Sequence, residues 1–162
     1  MSGIEEGEPT GKAGWLYVYS DGASRGNPGP AGAGGLAKDA RGRVLARVSD
    51  FLDVRTNNVA EYLALIRILE QSAGLGYRKV RIRLDSELVV NQLAGGFRVK
   101  SGNLKPLVAR ARTLLAAYDE VEVGHVPREK NYECDALANR AIDEWPAGNA
   151  EPVPDDETGS LF

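Results

Sequence analysis

Hydrophobic positions along this chain keep a strand-like character for about forty residues and then change to a helical period. Trp15–Ser20 is a short apolar run closed by Asp-Gly, which predicts a strand. Asp21–Pro30 holds three glycines and two prolines and predicts a turn. Ala31–Lys38 is small and apolar, a second strand with something packed closely on it, and Asp39-Ala-Arg-Gly is a second turn before a third strand at Val44–Phe51. Then Val59, Tyr62, Leu63, Ile66 and Leu69 recur at helical spacing and predict a helix with one buried stripe. Asn57 or Asn58 is its candidate N-cap, and Gly74 or Gly76 its stop. Lys79–Leu84 predicts a strand, and Ser86–Leu93 a short helix broken at Gly95-Gly96. Pro106–Tyr118 carries proline in its first turn and predicts a helix. Glu120–Val126 predicts a fifth strand, and Asn131–Trp145 a last helix with Leu137 and Ile142 facing inward. The order βββαβααβα is that of an α/β fold opening with a three-stranded antiparallel meander.

Both ends differ from this middle. Residues 1–14 and 147–162 are rich in Gly, Pro and acid and have little to bury, so they predict flexible tails around one domain over 15–146. No apolar run approaches the ~20 residues of a membrane span, and the N-terminus lacks the basic start and apolar core of a secretory signal. With a single cysteine, Cys134, no internal disulfide can form, which fits a cytoplasmic protein. A monomer without membrane attachment is expected.

The net charge of −3 argues against a polyanionic partner until its distribution is considered. The first 13 residues hold three acids and one base, and residues 147–162 hold four acids and no base, which leaves +3 between them. Acids occupied by metal would make that surface more positive still.

The candidate chemistry lies in four carboxylates. Asp21 and Asp85 each follow an apolar strand, and Glu61 and Asp135 each open a helix. Acids so placed can meet across the end of a sheet, where they repel one another unless cations lie between them. Oxygen-only donor sets suit Mg²⁺, with Mn²⁺ as substitute. A pair of such ions promotes phosphodiester displacement. Asn27, Thr56, Asn57 and Asn58 are small polar groups beside these acids; capping explains any one of them, and contacts to sugar and phosphate explain the set. His125, the only histidine, ends a strand before a polar loop that leads to Asp135, a place suited to proton transfer. The glycine-rich run over residues 22–35 lacks the Lys-Ser/Thr of a phosphate loop and predicts a hairpin. Cys134 predicts a packed residue, as do Trp15 and Trp145, whereas Phe97 is a candidate for stacking on bases.

Assembled, these residues resemble a type 1 ribonuclease H from about Trp15 to Trp145. The resemblance rests on five motifs in order: the run from Tyr19 through Ser20, Asp21 and Gly22 to Pro30, the run from Thr56 to Tyr62, the run from Leu84 to Val89, Gly124-His125, and the run from Cys134 to Ala138. It implies a ribonuclease-H-like fold, a five-stranded mixed sheet of three antiparallel strands then two parallel ones, flanked by helices. It implies an endonuclease that cuts the RNA strand of RNA–DNA hybrids, leaving 5′-phosphate and 3′-hydroxyl ends. Asp21, Glu61, Asp85 and Asp135 match the acids that hold two Mg²⁺ ions. In that scheme one ion activates the attacking water and the other stabilises the leaving oxygen. His125 matches a mobile catalytic histidine. Asn27, Asn57 and Asn58 match contacts to the RNA strand, and Thr56 and Asn103 a pocket for a DNA-strand phosphate.

Two departures qualify the match. Glu87 stands where the family has a glutamine, which puts one RNA contact in doubt. The segment from Gly95 to Asn103 is too short for the basic, Trp-bearing protrusion of a familiar bacterial form, so the chain resembles the subgroup without it. Arg98, Lys100 and Lys105 are the candidate substitutes for that protrusion. A separate hybrid-binding domain at the N-terminus is not expected. The alternatives are a non-catalytic nucleic-acid module on the same fold, which predicts loss of an acid, and another two-metal nuclease such as a resolvase or exonuclease.

Overall fold

Alternation in Trp15–Ser24 (β1) carries Leu16, Val18 and Ser20 to one side of a sheet, where they are wholly buried, and leaves Trp15, Tyr17 and Tyr19 half-covered on the other. The structure is a computed structural model and describes residues 14–95, 99 and 102–145. The predicted tails, apart from Gly14, lie outside the described residues, as do Phe97, Arg98 and Lys100.

β1 pairs antiparallel with Gly29–Lys38 (β2), which pairs antiparallel with Val44–Arg55 (β3). Lys79–Leu84 (β4) runs parallel to β1 on its other side, and Glu120–His125 (β5) parallel to β4. The sheet order is therefore β3-β2-β1-β4-β5, a mixed five-stranded sheet of three antiparallel strands and two further parallel ones. The α-helices are Asn57–Ser72 (α1), Glu87–Leu93 (α2), Lys105–Leu115 (α3) and Tyr132–Asp143 (α4). Short 3₁₀ turns lie at Ala73–Leu75 and Arg128–Lys130.

α1 packs across β1, β2 and β3, and its Tyr62, Leu65, Ile68 and Leu69 meet Leu16, Val18, Val80 and Ile82 in the core. The α3 residues Leu107, Val108 and Ala111 close the same core from outside. The Tyr62 hydroxyl donates to Gln92 Oε1 at 2.5 Å, and Arg112 donates to the Gln92 carbonyl at 2.8 Å, so α1, α2 and α3 are joined by satisfied polar contacts as well as by packing. α4 lies on the opposite face, over β1, β2 and β3.

The glycine-rich run is where the structure corrects the sequence. The turn expected over Asp21–Pro30 is only residues 25–28; β1 continues through Asp21 to Ser24, and β2 already begins at Gly29. Asp21 pairs with Gly34 inside the ladder rather than following a strand end. The physical reason is close approach. A Cβ on Gly34 would stand 2.0 Å from the Cys134 carbonyl oxygen of α4, and one on Gly22 would stand 2.2 Å from the Ala60 carbonyl carbon of α1. These glycines bring helices against the sheet on both faces near Asp21. Two smaller corrections concern helix starts. Thr56, not Asn57 or Asn58, caps α1, its hydroxyl accepting from Val59 N–H at 3.3 Å. Glu61 consequently lies in the second turn of α1 rather than the first. Cys134 is buried, and Trp145 stacks on Phe51 with ring centroids 4.4 Å apart. Trp15, expected in the core, is instead half-covered on the outer face, beneath the cations of Lys79 and Arg81.

Candidate active site

Three of the four acids converge at the end of the sheet. Asp21 of β1, Glu61 of α1 and Asp85, one residue past β4, each offer an oxygen within 4.8 Å of the others. Asp21 is 4 % and Glu61 7 % exposed. Asp135, in the first turn of α4, lies outside that tight group, but its charge acts on both Asp21 and Glu61.

The electrostatics of this cluster follow from burial and like charge. Burial first, then the carboxylates of Glu61, Asp85 and Asp135, push the Asp21 carboxyl up to about 9. Burial first and then Asp85 push Glu61 up as well, opposed by the Gly22 N–H, which donates to Glu61 Oε1 at 3.2 Å, and by the charge of Arg128. Carboxylates forced together in this way hold protons, or a cation takes their place. An oxygen-only donor set, partly buried and short of positive charge, fits a hard divalent ion such as Mg²⁺ or Mn²⁺.

Asn131 and Arg128 stand at the cluster without an assignment from the sequence. Asn131 is 2 % exposed and donates through Nδ2 to the Ser20 carbonyl at 2.9 Å and to Asp85 Oδ2 at 3.1 Å. Its own carbonyl accepts from Asp135 N–H at 3.1 Å. The sequence signal for Asn131 was its position four residues before Asp135, which reads equally well as a helix start. Arg128 had only its place three residues after His125.

His125 ends β5 and pairs with Leu84, the residue before Asp85. It is exposed, and its ring makes no hydrogen bond among the described residues. Asn27, Thr56, Asn57, Asn58 and Asn103 line one cleft of about 360 Å³, with Val59 and Leu104 at its base. Asn27 Oδ1 accepts the Asn57 N–H at 2.9 Å, which joins the β1–β2 turn to the start of α1. Arg25, in the same turn, is anchored to Asp143 of α4 at 2.6 Å. Glu87 is exposed at the first position of α2, and Lys105 is exposed at the first position of α3.

Residues 19–141 match the family described as reverse transcriptase-like. The chain is 43% identical over 133 residues to ribonuclease HI of Halobacterium salinarum, covering 82% of this chain and 67% of that protein. It is 39% identical over 142 residues to the bifunctional protein Rv2228c of Mycobacterium tuberculosis, covering 85% of this chain and 39% of that protein. The chain thus spans about two-fifths of the mycobacterial relative. Among solved structures, RNase H1 of Halobacterium salinarum superposes with a TM-score of 0.78 at 44% identity, over 81% of this chain and 99% of that one. LC11-RNase H1 in complex with an RNA/DNA hybrid gives 0.76 at 41% identity, over 80% of this chain and 97% of that one.

Proposed function

The chain belongs to the type 1 ribonuclease H family, a family of hydrolases, and from that premise we propose that it cuts the RNA strand of RNA–DNA hybrids at the cluster of Asp21, Glu61, Asp85 and Asp135. The observation that carries the reading is the meeting of Asp21, Glu61 and Asp85 oxygens within 4.8 Å. Those three residues with Asp135 would hold two Mg²⁺ ions, or Mn²⁺ in their place. When bound, the ions supply an activated water for in-line attack and charge stabilisation at the departing 3′ oxygen, giving 5′-phosphate and 3′-hydroxyl ends.

The remaining residues have tasks that follow from their positions. The Gly22 N–H and Asn131 orient Glu61 and Asp85, so the carboxylates need no rearrangement to receive cations. His125, exposed beside Asp85 and without a partner among the described residues, is free to carry a proton to or from solvent. The cleft lined by Asn27, Thr56, Asn57, Asn58 and Asn103 presents amide and hydroxyl donors to sugar and phosphate oxygens. RNA is distinguished from DNA by contacts to its 2′-hydroxyl. The LC11-RNase H1 structure, with its RNA/DNA hybrid, supports the choice of substrate.

The test is incubation of the full chain with end-labelled RNA–DNA hybrid, double-stranded RNA and double-stranded DNA, in Mg²⁺, Mn²⁺ or EDTA. The expected result is metal-dependent cutting of the hybrid's RNA strand. Cutting that persists in EDTA, or confined to double-stranded DNA, would overturn the proposal.

A further inference from the structure

Among the described residues, the helices cover one face of β4 and β5 and leave the other without a helix. α1 and α2 cover the face that carries Leu16 and Val80, and α4 covers β1, β2 and β3 on the other. None of the described helices packs extensively on β4 and β5 from the α4 side. The outward column of β1 is Trp15, Tyr17 and Tyr19, and the outward column of β4 is Lys79, Arg81 and Arg83. Register pairs them one to one, Trp15 with Lys79, Tyr17 with Arg81 and Tyr19 with Arg83.

The cations lie on the rings. The Arg81 guanidinium stands 4.3 Å from the Trp15 ring centre and 5.8 Å from that of Tyr17, and Lys79 Nζ stands 5.2 Å from Trp15. Arg81 also donates to the Tyr17 hydroxyl at 3.2 Å. On the far flank Glu122 of β5 holds Arg81 at 3.0 Å and Arg83 at 2.8 Å, and Glu120 stands opposite Lys79 in the register, so three cations face two carboxylates and keep one net positive charge. Gly124 leaves room for this: a Cβ there would stand 3.0 Å from Arg83 Nη1. A guanidinium plane fixed on an aromatic ring offers one flat face to a nucleobase and its N–H edge to a phosphate.

The surface leads to the acids. The next outward residue of β1 after Tyr19 is Asp21, and Asp85 follows β4 two residues beyond Arg83. On the β2 side of Tyr19 a cleft of about 120 Å³ is lined by Lys38, Lys130, Asn131 and Glu133, with Lys38 paired to Glu133 at 2.8 Å. From Trp15 to Asp21 the strand rises about 20 Å. That length holds a few nucleotides, at the low end of the roughly 4–16 that single-strand-binding folds take.

We propose that the paired aromatic and cationic columns of β1 and β4 form a second nucleic-acid site, which holds single-stranded RNA where the RNA strand of the substrate continues beyond the hybrid. The inference rests on the proposed function, because RNA is chosen as the strand that passes through the acids. Stacking on aromatic and guanidinium planes needs unpaired bases, which a hybrid duplex does not present. The columns would therefore add affinity only for substrates with an overhang.

The experiment measures affinity of the full chain, in Ca²⁺ to suppress cutting, for one hybrid made blunt, with a six-nucleotide RNA overhang at either end, or with a DNA overhang of the same length. An RNA overhang at one end is expected to tighten binding about 5–20-fold over the blunt hybrid, the range of one or two weakly stacked bases. In Lys79→Glu and Trp15→Ala variants that gain is lost while affinity for the blunt hybrid is unchanged. Circular dichroism melts and blunt-hybrid cutting in Mg²⁺ establish that the variants fold. In a Trp145→Phe variant, where Trp15 is the only tryptophan, fluorescence should be quenched by the RNA overhang and not by the blunt hybrid. No gain from an RNA overhang, an equal gain from DNA, or a gain that survives both column variants would each overturn the inference. Hybrid cutting in Mg²⁺ tests the proposed function separately, so the two can fail independently.

Discussion

Asn131 Nδ2 lies 3.1 Å from Asp85 Oδ2 and 2.9 Å from the Ser20 carbonyl oxygen, so one buried amide joins the middle of β1 and the residue just past β4 to the start of α4. Through its own carbonyl it also accepts the N–H of Asp135. A single residue outside the acidic set therefore fixes the relative positions of two of its members. Asn131→Ala is expected to leave a buried carbonyl unsatisfied and to cost about 1–3 kcal/mol of stability. It should also raise the Mg²⁺ concentration needed for half-maximal cutting, because Asp85 loses its orienting donor. A thermal melt and a metal titration of the variant read these separately; an unchanged titration would limit Asn131 to holding the fold.

The carboxylates should make the metal-free protein sensitive to alkali. The folded-state pKa values of Asp21 and Glu61 lie above those of the unfolded chain, so the folded state binds more protons between about pH 4 and pH 8–9. Stability in EDTA is then full below that window and falls as pH rises through it. Asp21→Asn should flatten the fall and raise the metal-free melting temperature at pH 8 by about 2–8 °C, the equivalent of ~1–2 kcal/mol. The same variant, with Glu61→Gln, Asp85→Asn and Asp135→Asn, should lose hybrid cutting severely. Melts in EDTA from pH 5 to 9 check the first expectation, and full activity in the Asp21 or Asp85 variant would end the two-metal reading.

His125 has no structural work to lose. It is exposed at the end of β5, and its ring has no hydrogen bond among the described residues. His125→Ala should leave the melting temperature unchanged and slow turnover by about 10²–10⁴-fold at most, the scale of an assisting proton-transfer group. Steady-state turnover beside a melt tests both halves; a destabilised variant with normal turnover would make the histidine structural.

Basic residues near the site should set the salt response of binding. Lys105 is exposed at the start of α3, beside the cleft of Asn103, and Arg128 is exposed yet close enough to act on Glu61. Replacing each by alanine should weaken hybrid binding in Ca²⁺ and reduce the slope of log affinity against log salt by about one unit for each phosphate that the side chain neutralises. An unchanged slope would remove that side chain from the binding surface. Arg98 and Lys100 lie outside the described residues, but the same measurement applies to them.

The element order and the meander were readable because each depends on local information. Val59, Tyr62, Leu63, Ile66 and Leu69 repeat at helical spacing whatever they pack against, and five motifs in order carried the family resemblance. The ends of β1 and β2 were not readable. Gly22 and Gly29, with the two prolines, signal a turn to any local rule, yet here both are ladder positions, and Gly22 is thinned so that α1 can close on the sheet. The N-cap went to Thr56 because its hydroxyl has the Val59 N–H within reach, a choice among three adjacent polar residues that composition leaves open.

The chain's letters alone decided which chemistry was possible: oxygen donors in quantity, one histidine, one cysteine, and small polar residues beside the acids. Folding decided which of them meet. Asp21, Glu61 and Asp85 are separated by 40 and 24 positions in the chain, and their approach to within 4.8 Å depends on the parallel crossover of β4 beside β1 and on the glycines that admit α1. The raised proton affinity of Asp21 exists only after that approach, since burial and neighbouring charge are properties of the packed state. The same holds for Asn131, whose amide finds Asp85 across 46 positions of sequence. Local rules cannot see such pairs, because the free energy that forms them is released only when the sheet and its helices are assembled.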